Sequence, residues 1–210
     1  MKKISSRTIS RALLYIRTLE SLIKKKQERV SSAEIASIAG LTDVQVRKDI
    51  SAFGKIGVPR VGYNVVGLKG VLEEFILEKN RVGIVIFGVG NLGKAILSYF
   101  ALKKSKIKIV AAFEKDKKKV GKDINKIEIF SFEKAKNIIK KYKIDMAIIA
   151  VPVNASQEVA DIVVDSGIKS IINFAPTSLV VPKDVTVKEI DLLIEFLSLY
   201  CDSKLLKNKT

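Results

Sequence analysis

Residues Val82 to Phe87 read VGIVIF, a β-branched run of the kind that forms a strand buried on both faces. The run leads without a break into Gly88-Val89-Gly90-Asn91-Leu92-Gly93. A strand that ends in GxGxxG has few ways to continue: the chain must turn tightly and open a helix packed against the strand it has just left. Gly88 permits the turn, Gly90 lets the backbone approach a pyrophosphate, and Gly93 lets helix and strand pack closely, while the helix N-terminus supplies amide donors for phosphates. The helix, predicted from Leu92 to about Lys103, leads to a second strand, IKIVAAF from Ile107 to Phe113, which completes a βαβ unit. The six loop residues, Val89, Asn91 and Leu92 among them, are therefore the candidate pyrophosphate cradle. A Rossmann-like domain that has lost its ligand is the alternative.

Glu114 closes the second strand about 20 residues past the glycine loop, where an acid accepts hydrogen bonds from the adenosine ribose hydroxyls and repels a 2′-phosphate. This favours NADH and NAD+ over their phosphorylated counterparts. Lys115, Lys117, Lys118 and Lys119 follow at once and offer charge to a phosphate, so charge alone leaves the choice open. A helix near Phe132 to Tyr142 comes next. A strand, MAIIAVPV, then breaks at Pro152, and another, IKSIINF, runs into Ala175-Pro176. Doubly wound sheets place ligands outside their strand ends, so Val151, Pro152 and Asn173 are expected to line the crevice.

Composition removes several chemistries. The 210 residues include no His, which excludes Ser-His-Asp and Cys-His catalysis and His-ligated zinc within the chain, and no metal site is expected. The single cysteine, Cys201, cannot form an intramolecular disulfide and reads as a small buried hydrophobe. The Lys-rich start lacks the apolar run of a secretory signal, and no apolar stretch approaches the roughly 18 residues of a membrane span, so the expectation is a cytoplasmic protein with no membrane partner. A net charge of +16 suggests a polyanion as partner, against the plainer reading that the lysines serve solubility.

The charge is densest at the front. Residues 1–60 hold 13 Lys and Arg against 5 Asp and Glu. Thr8 to Lys26 carries Ile9, Leu13, Ile16, Leu19 and Ile23 at helical spacing and ends in a lysine cluster. Ser31 with Glu34 has capping-box spacing and opens a short helix that Gly40 stops; Thr42 with Gln45 repeats the box. Two short helices about a tight turn have the shape of a helix-turn-helix. On the second, Val46, Ile50 and Phe53 share one face, and Gln45, Arg47, Lys48 and Ser51 occupy the remaining arc. Arg can pair with guanine, Gln with adenine, and Lys or Ser with phosphate, which is the chemistry of a major-groove reader; a merely solvated helix face is the alternative. Gly54, Gly57, Pro59 and Gly62 then punctuate short apolar runs that carry Lys55 and Arg60, which predicts a basic β-wing. A helix over roughly Leu68 to Lys79 closes the unit.

From Ile190 to Tyr200 the chain reads IDLLIEFLSLY, polar only at Asp191, Glu195 and Ser198. A helix so apolar needs cover, and a second copy of the chain is the simplest partner; packing onto its own sheet is the alternative. The organisation expected is thus an α/β chain: a winged helix-turn-helix over residues 1–80, a doubly wound parallel Rossmann sheet over 81–189, and a dimerisation helix and tail over 190–210.

The segments RVSSAEIASIAG, QVRKDISAFG, VGYNV, GVGNLGKAI, AAFEKDKKKVG and NFAPTSLVVPKDVTVKEIDLLIE together resemble the Rex family of bacterial redox-sensing transcriptional repressors, over nearly the whole chain. The resemblance implies a homodimer that binds a palindromic double-stranded DNA operator when NAD+ prevails and releases it as NADH rises, with the C-terminal helix exchanged between subunits. It implies Arg47 and Lys48 at operator bases or phosphates and Lys55 and Arg60 on the wing. It implies Gly88, Gly90 and Gly93 at the pyrophosphate, Glu114 at the ribose, and Tyr99 and Asp191 near the nicotinamide, with Arg17 as the partner of Asp191 in one state only. This chain departs from the family's common pattern at Ala52, where Tyr is usual, at Glu114, where Asp is usual, at Val58-Pro59-Arg60 in the wing and at Glu195-Phe196-Leu197 in the last helix. A dehydrogenase with a helical appendage would use the same nucleotide loop, but it gives no reason for the capped helices and the basic wing. A DNA binder without a ligand gives no reason for the glycine loop and Glu114.

Overall fold

Three hydroxyls start the first three helices. In the computed structural model, which describes residues 4–207 except 55, 59–60, 78–80 and 103–105, Ser5 Oγ accepts the Thr8 amide at 3.2 Å, Ser31 Oγ the Glu34 amide at 3.1 Å and Thr42 Oγ1 the Gln45 amide at 3.2 Å. These caps open α1 (Ser6–Lys24), then, after the short strand β1 (Arg29–Val30), α2 (Ser32–Ala39) and α3 (Asp43–Ala52). Gly40 ends α2 in the left-handed conformation, φ +66°, as the sequence predicts. The chain returns through a narrow wing, bridged between Val58 and Gly62, into β2 (Tyr63–Asn64), which pairs antiparallel with β1. Helix α4 (Val65–Leu77) begins three residues earlier than its apolar pattern suggests, because the Asn64 side chain accepts the Gly67 amide at 2.7 Å and caps it. Tyr15, Leu19, Ile35, Ile50, Leu68 and Leu72, all essentially without solvent exposure, form the core of this unit.

The chain divides into two compact units, Met1–Asn80 and Arg81–Thr210. In the second, β3 (Val82–Phe87), α5 (Asn91–Ala101) and β4 (Ile107–Phe113) form the expected βαβ unit. A hairpin of β5 (Asp123–Ile124) and β6 (Ile127–Phe130) follows, turning through Asn125 and Lys126, both at positive φ. One 3-10 turn, Phe132–Lys134, leads into α6 (Ala135–Tyr142). Then come β7 (Met146–Ile149), α7 (Val153–Asp165), β8 (Ser170–Asn173), β9 (Thr186–Glu189) and α8 (Leu192–Lys207). The hairpin, α7 and β9 are additions to the sequence reading.

The sheet runs β5-β6-β4-β3-β7-β8-β9, parallel throughout except at the hairpin. Without β5, that is the doubly wound 3-2-1-4-5-6 order, with its switch point between β3 and β7. Successive residues of VGIVIF face opposite clusters: Val85 and Phe87 pack with Phe113, Ile149 and Val159, and Ile84 and Ile86 with Leu97, Ile109 and Ile148. The strand is thus buried on both faces, as its composition requires. Helix α8 is the exception to burial. Leu193, Ile194, Phe196 and Leu199 are each more than 60% exposed, so within one chain the alternative of packing onto its own sheet does not hold.

Candidate nucleotide cradle and nucleic-acid interface

At the switch point Gly88 leaves β3 with φ +95°, and a side chain there would strike the Ala150 carbonyl beside it. Gly93, in the first turn of α5, lies so close that a Cβ would overlap the Gly88 carbonyl oxygen. Gly90 differs: a Cβ would meet nothing within 4 Å, and no side chain caps the helix that Gly90 opens. Two glycines thus shape the turn, and the third leaves open space in front of free helix amides, with Asn91 and Leu92 exposed on that first turn. This arrangement fits a dinucleotide pyrophosphate.

Glu114 ties this loop to the end of β4. Its Oε2 accepts the Val89 amide at 3.0 Å and Lys119 Nζ at 3.3 Å, and its Oε1 accepts the amides of Lys115 at 2.8 Å and Asp116 at 3.2 Å. Burial pushes this carboxyl upward, and the three backbone amides with the Lys119 ammonium outweigh it, so its pKa is lowered. Two bonds to each oxygen fill the usual acceptor sites, so a ribose hydroxyl enters by replacing one of them, and the long contact to half-exposed Lys119 is the easiest to replace. Lys115 pairs with Glu158 at 2.8 Å. Two of the four lysines in question are therefore already held by carboxylates.

Beside Glu114 a hollow of about 450 Å³ is lined by Val89, Lys94, Ser98, Lys119, Ile124 and Ile129, an apolar floor with a basic rim. Lys94, Ser98 and Ile124 were not singled out from sequence; Lys94, directly after Gly93, had a local signal, and Ile124 had none. Beyond the switch point, Val151 is half-buried and Pro152 exposed at the start of α7. Asn173 is fully buried, and its amide shapes the following turn: Nδ2 donates to the carbonyls of Ala175 at 3.1 Å and Thr177 at 2.8 Å, and Oδ1 accepts the Ala175 amide at 3.0 Å. Asp191 caps α8 through Oδ1, accepting the Leu193 amide at 2.9 Å, and borders a second hollow of about 390 Å³ with Pro176, Glu189 and Glu195. Tyr99 is 58% exposed on α5, edge-on to Phe100. Cys201, expected to be buried, is exposed, because α8 itself is uncovered in the single chain.

In the front unit, the four outward residues of α3 are not equally free. Arg47 pairs with Asp43 at 2.9 Å, Ser51 Oγ donates to the Lys48 carbonyl at 2.8 Å, and Gln45 Nε2 donates to Asp49 at 2.8 Å; Lys48 is exposed. Asp49, 3% exposed, also accepts Arg11 Nε at 2.6 Å, Arg11 Nη2 at 2.8 Å and Tyr15 Oη at 2.7 Å. Burial raises this carboxyl and the bonds from Arg11, Tyr15 and Gln45 outweigh it, so it is held below the usual range. One hollow between α3 and the wing is lined by Arg47, Ser51, Val58 and Tyr63; another, between α3 and the start of α1, by Arg7, Thr8, Arg11, Gln45 and Lys48. Arg7 and Arg11 are basic groups at this surface that sequence reasoning missed. Arg17 is exposed on α1. Lys55 and Arg60 lie outside the described residues. Among the described residues no helix is long and apolar enough to cross a membrane, and no group of His, Cys, Asp and Glu is placed to hold a metal.

Known proteins combine the same parts. Residues 79–177 match the family described as CoA binding domain, and residues 3–51 the one described as putative DNA-binding protein N-terminus. The redox-sensing transcriptional repressor Rex of Carboxydothermus hydrogenoformans is 41% identical over 192 residues, spanning 91% of this chain and 92% of the relative. The chain belongs to the Rex family. The Rex of Thermosipho africanus is 38% identical over 94% of this chain and 95% of its own. Among solved structures, the Rex-family repressor RSP in complex with β-NAD+ and operator DNA superimposes with a TM-score of 0.87 at 32% identity, over 99% of this chain and 97% of that one. RSP in complex with β-NADH gives 0.84 over the full length of both.

Proposed function

We propose that this chain is a cytoplasmic redox-sensing transcriptional repressor that binds a palindromic operator as a homodimer and leaves it when NADH rises relative to NAD+. One observation carries the reading. A single chain holds both a helix-turn-helix whose second helix exposes Arg47 and Lys48 and a glycine loop whose geometry fits a dinucleotide, and its Rex relatives and the RSP complexes join the same two parts.

In this reading Gly88 to Gly93 receive the pyrophosphate through backbone amides, Glu114 takes the adenosine ribose hydroxyls, and Val151, Pro152, Asn173, Tyr99 and Asp191 surround the nicotinamide half. Gln45, Arg47, Lys48 and Ser51 face the major groove, with Lys55 and Arg60 on the wing. No residue acts as catalyst: the nucleotide is a signal. NADH that favours a dimer arrangement whose recognition helices miss two half-sites one turn apart weakens DNA binding by the same factor, and about 3 kcal/mol of preference gives more than a hundredfold. In this reading Asp191 takes Arg17 as its partner in one state only, as the family resemblance implies.

The exposed apolar residues of α8 supply the dimer interface. Burying each contributes roughly 1.5–3 kcal/mol, so Phe196→Asp is expected to yield monomers by sedimentation.

The test is fluorescence anisotropy of the full chain on a palindromic duplex at fixed salt, with NADH, NAD+ and NADPH added in turn. Release by NADH at concentrations where the others do little is expected. Tight binding indifferent to every nucleotide overturns the sensing half of the reading, and absence of DNA binding overturns the repressor.

A further inference from the structure

Gln45 and Asp49 stand one turn apart on α3, and their contact determines something a glutamine cannot determine alone. A carboxamide has a donor end and an acceptor end of nearly the same shape, so a free Gln presents either one to a base. An ionised Asp49 only accepts, so the 2.8 Å contact must be made by Nε2. One Nε2 hydrogen is committed. The other hydrogen and the Oε1 acceptor remain for a base on a half-buried residue that lines the hollow with Arg7 and Lys48. That donor and acceptor match the N7 acceptor and N6 donor of adenine in the major groove and mismatch the two acceptors of guanine.

Asp49 cannot drift, because Arg11 grips both its oxygens and Tyr15 Oη holds one of them from a fully buried ring. Arg11 also neutralises the carboxylate beside a phosphate-lined partner. We infer that Asp49 is a positioning residue that sets the Gln45 carboxamide for adenine, so that one A·T pair in each operator half-site is read through this pair. The inference rests on the repressor reading above.

The test selects duplexes from a palindromic library with randomised half-sites, using the full-length protein. Wild type is expected to enrich adenine at one defined half-site position, with a preference of a few-fold to about a hundredfold over G·C. Gln45→Ala and Asp49→Asn both lose the preference at that position and keep it elsewhere. The double variant loses no more than Gln45→Ala alone, since the two act as a unit. Tyr15→Phe, which removes one bond from Asp49 and keeps its charge, gives a milder loss at the same position and decides the matter where Asp49→Asn does not fold. Equal weakening at every position, in step with a lower melting temperature, overturns the inference, as does a Gln45→Ala profile identical to wild type. A wild type that enriches no palindrome overturns the repressor reading itself.

Discussion

Helix α3 of the front unit is anchored through a buried charge, whereas helix α5 of the rear unit packs mainly through a glycine and apolar side chains. Asp49 sits inside the front core with four hydrogen bonds from Arg11, Tyr15 and Gln45. The buried residues of α5 are Gly93 and Leu97, and Glu114, at the end of β4 beside the glycine loop, is bonded mainly to backbone. Apolar packing fixes how near a helix lies but tolerates small rotations, while a carboxylate with directed bonds also fixes rotation about the axis. Reading base edges depends on that rotation. Cradling a pyrophosphate depends instead on where backbone amides stand, which glycine contacts settle.

The sharpest way to break this comparison is Asp49→Ala. Leaving Tyr15 Oη and the Arg11 guanidinium without their partner is expected to cost the front unit roughly 3–5 kcal/mol, read by urea unfolding, with NADH binding by the rear unit retained. Equal loss in both units would show that the buried charge serves the whole chain. Gly93→Ala is the mirror experiment: a methyl against the Gly88 carbonyl costs about 1–3 kcal/mol of rear-unit stability and abolishes nucleotide binding, with DNA affinity in the absence of nucleotide retained.

pH separates the units further. Asp49 and Glu114 are lowered from 3.8 and 4.5, so the stability they add is present above those values and is lost as pH falls below them. Tyr15 is raised from 10.0 by burial and by its bond to Asp49, so its contribution is present below 10.0 and is lost as pH rises beyond it. Unfolding followed across pH should show acid sensitivity in both units and this alkaline loss in the front unit alone. The smallest effect is Ser31→Ala, about 1 kcal/mol, confined to the front unit and measured by its melting temperature.

What was legible in the sequence was local. Ser31, Gly40 and Thr42 act on neighbours within four residues, and the glycine loop with Glu114 is a spacing along one βαβ unit, so each could be placed before any coordinates. Pairing across long separations was not legible. Strands β1 and β2 are two residues each, and Arg29 meets Asn64 only because α2 and α3 fold between them. Helix α7 opens directly behind Pro152 with no capping side chain to mark its start, and its buried positions Val159, Ala160 and Val163 had no place in the sequence reading. Within the site, Gln45 was recognisable as outward-facing, but the acid that orients it takes its own partners from α1, 38 and 34 residues away. Lys119 was noticed as a charge near a phosphate position and turns out to be a ligand of Glu114.

The four bonds around Glu114 have a bearing on what it means to report a signal. A receptor that leaves an orphan carboxylate in an empty pocket is half-finished without its ligand, and its message is confounded with its own collapse. Here the chain completes the acid's coordination from its own amides and one lysine. On the proposed reading, a ribose hydroxyl that takes the place of Lys119 at Glu114 exchanges one satisfied shell for another, and the acid is never left without partners.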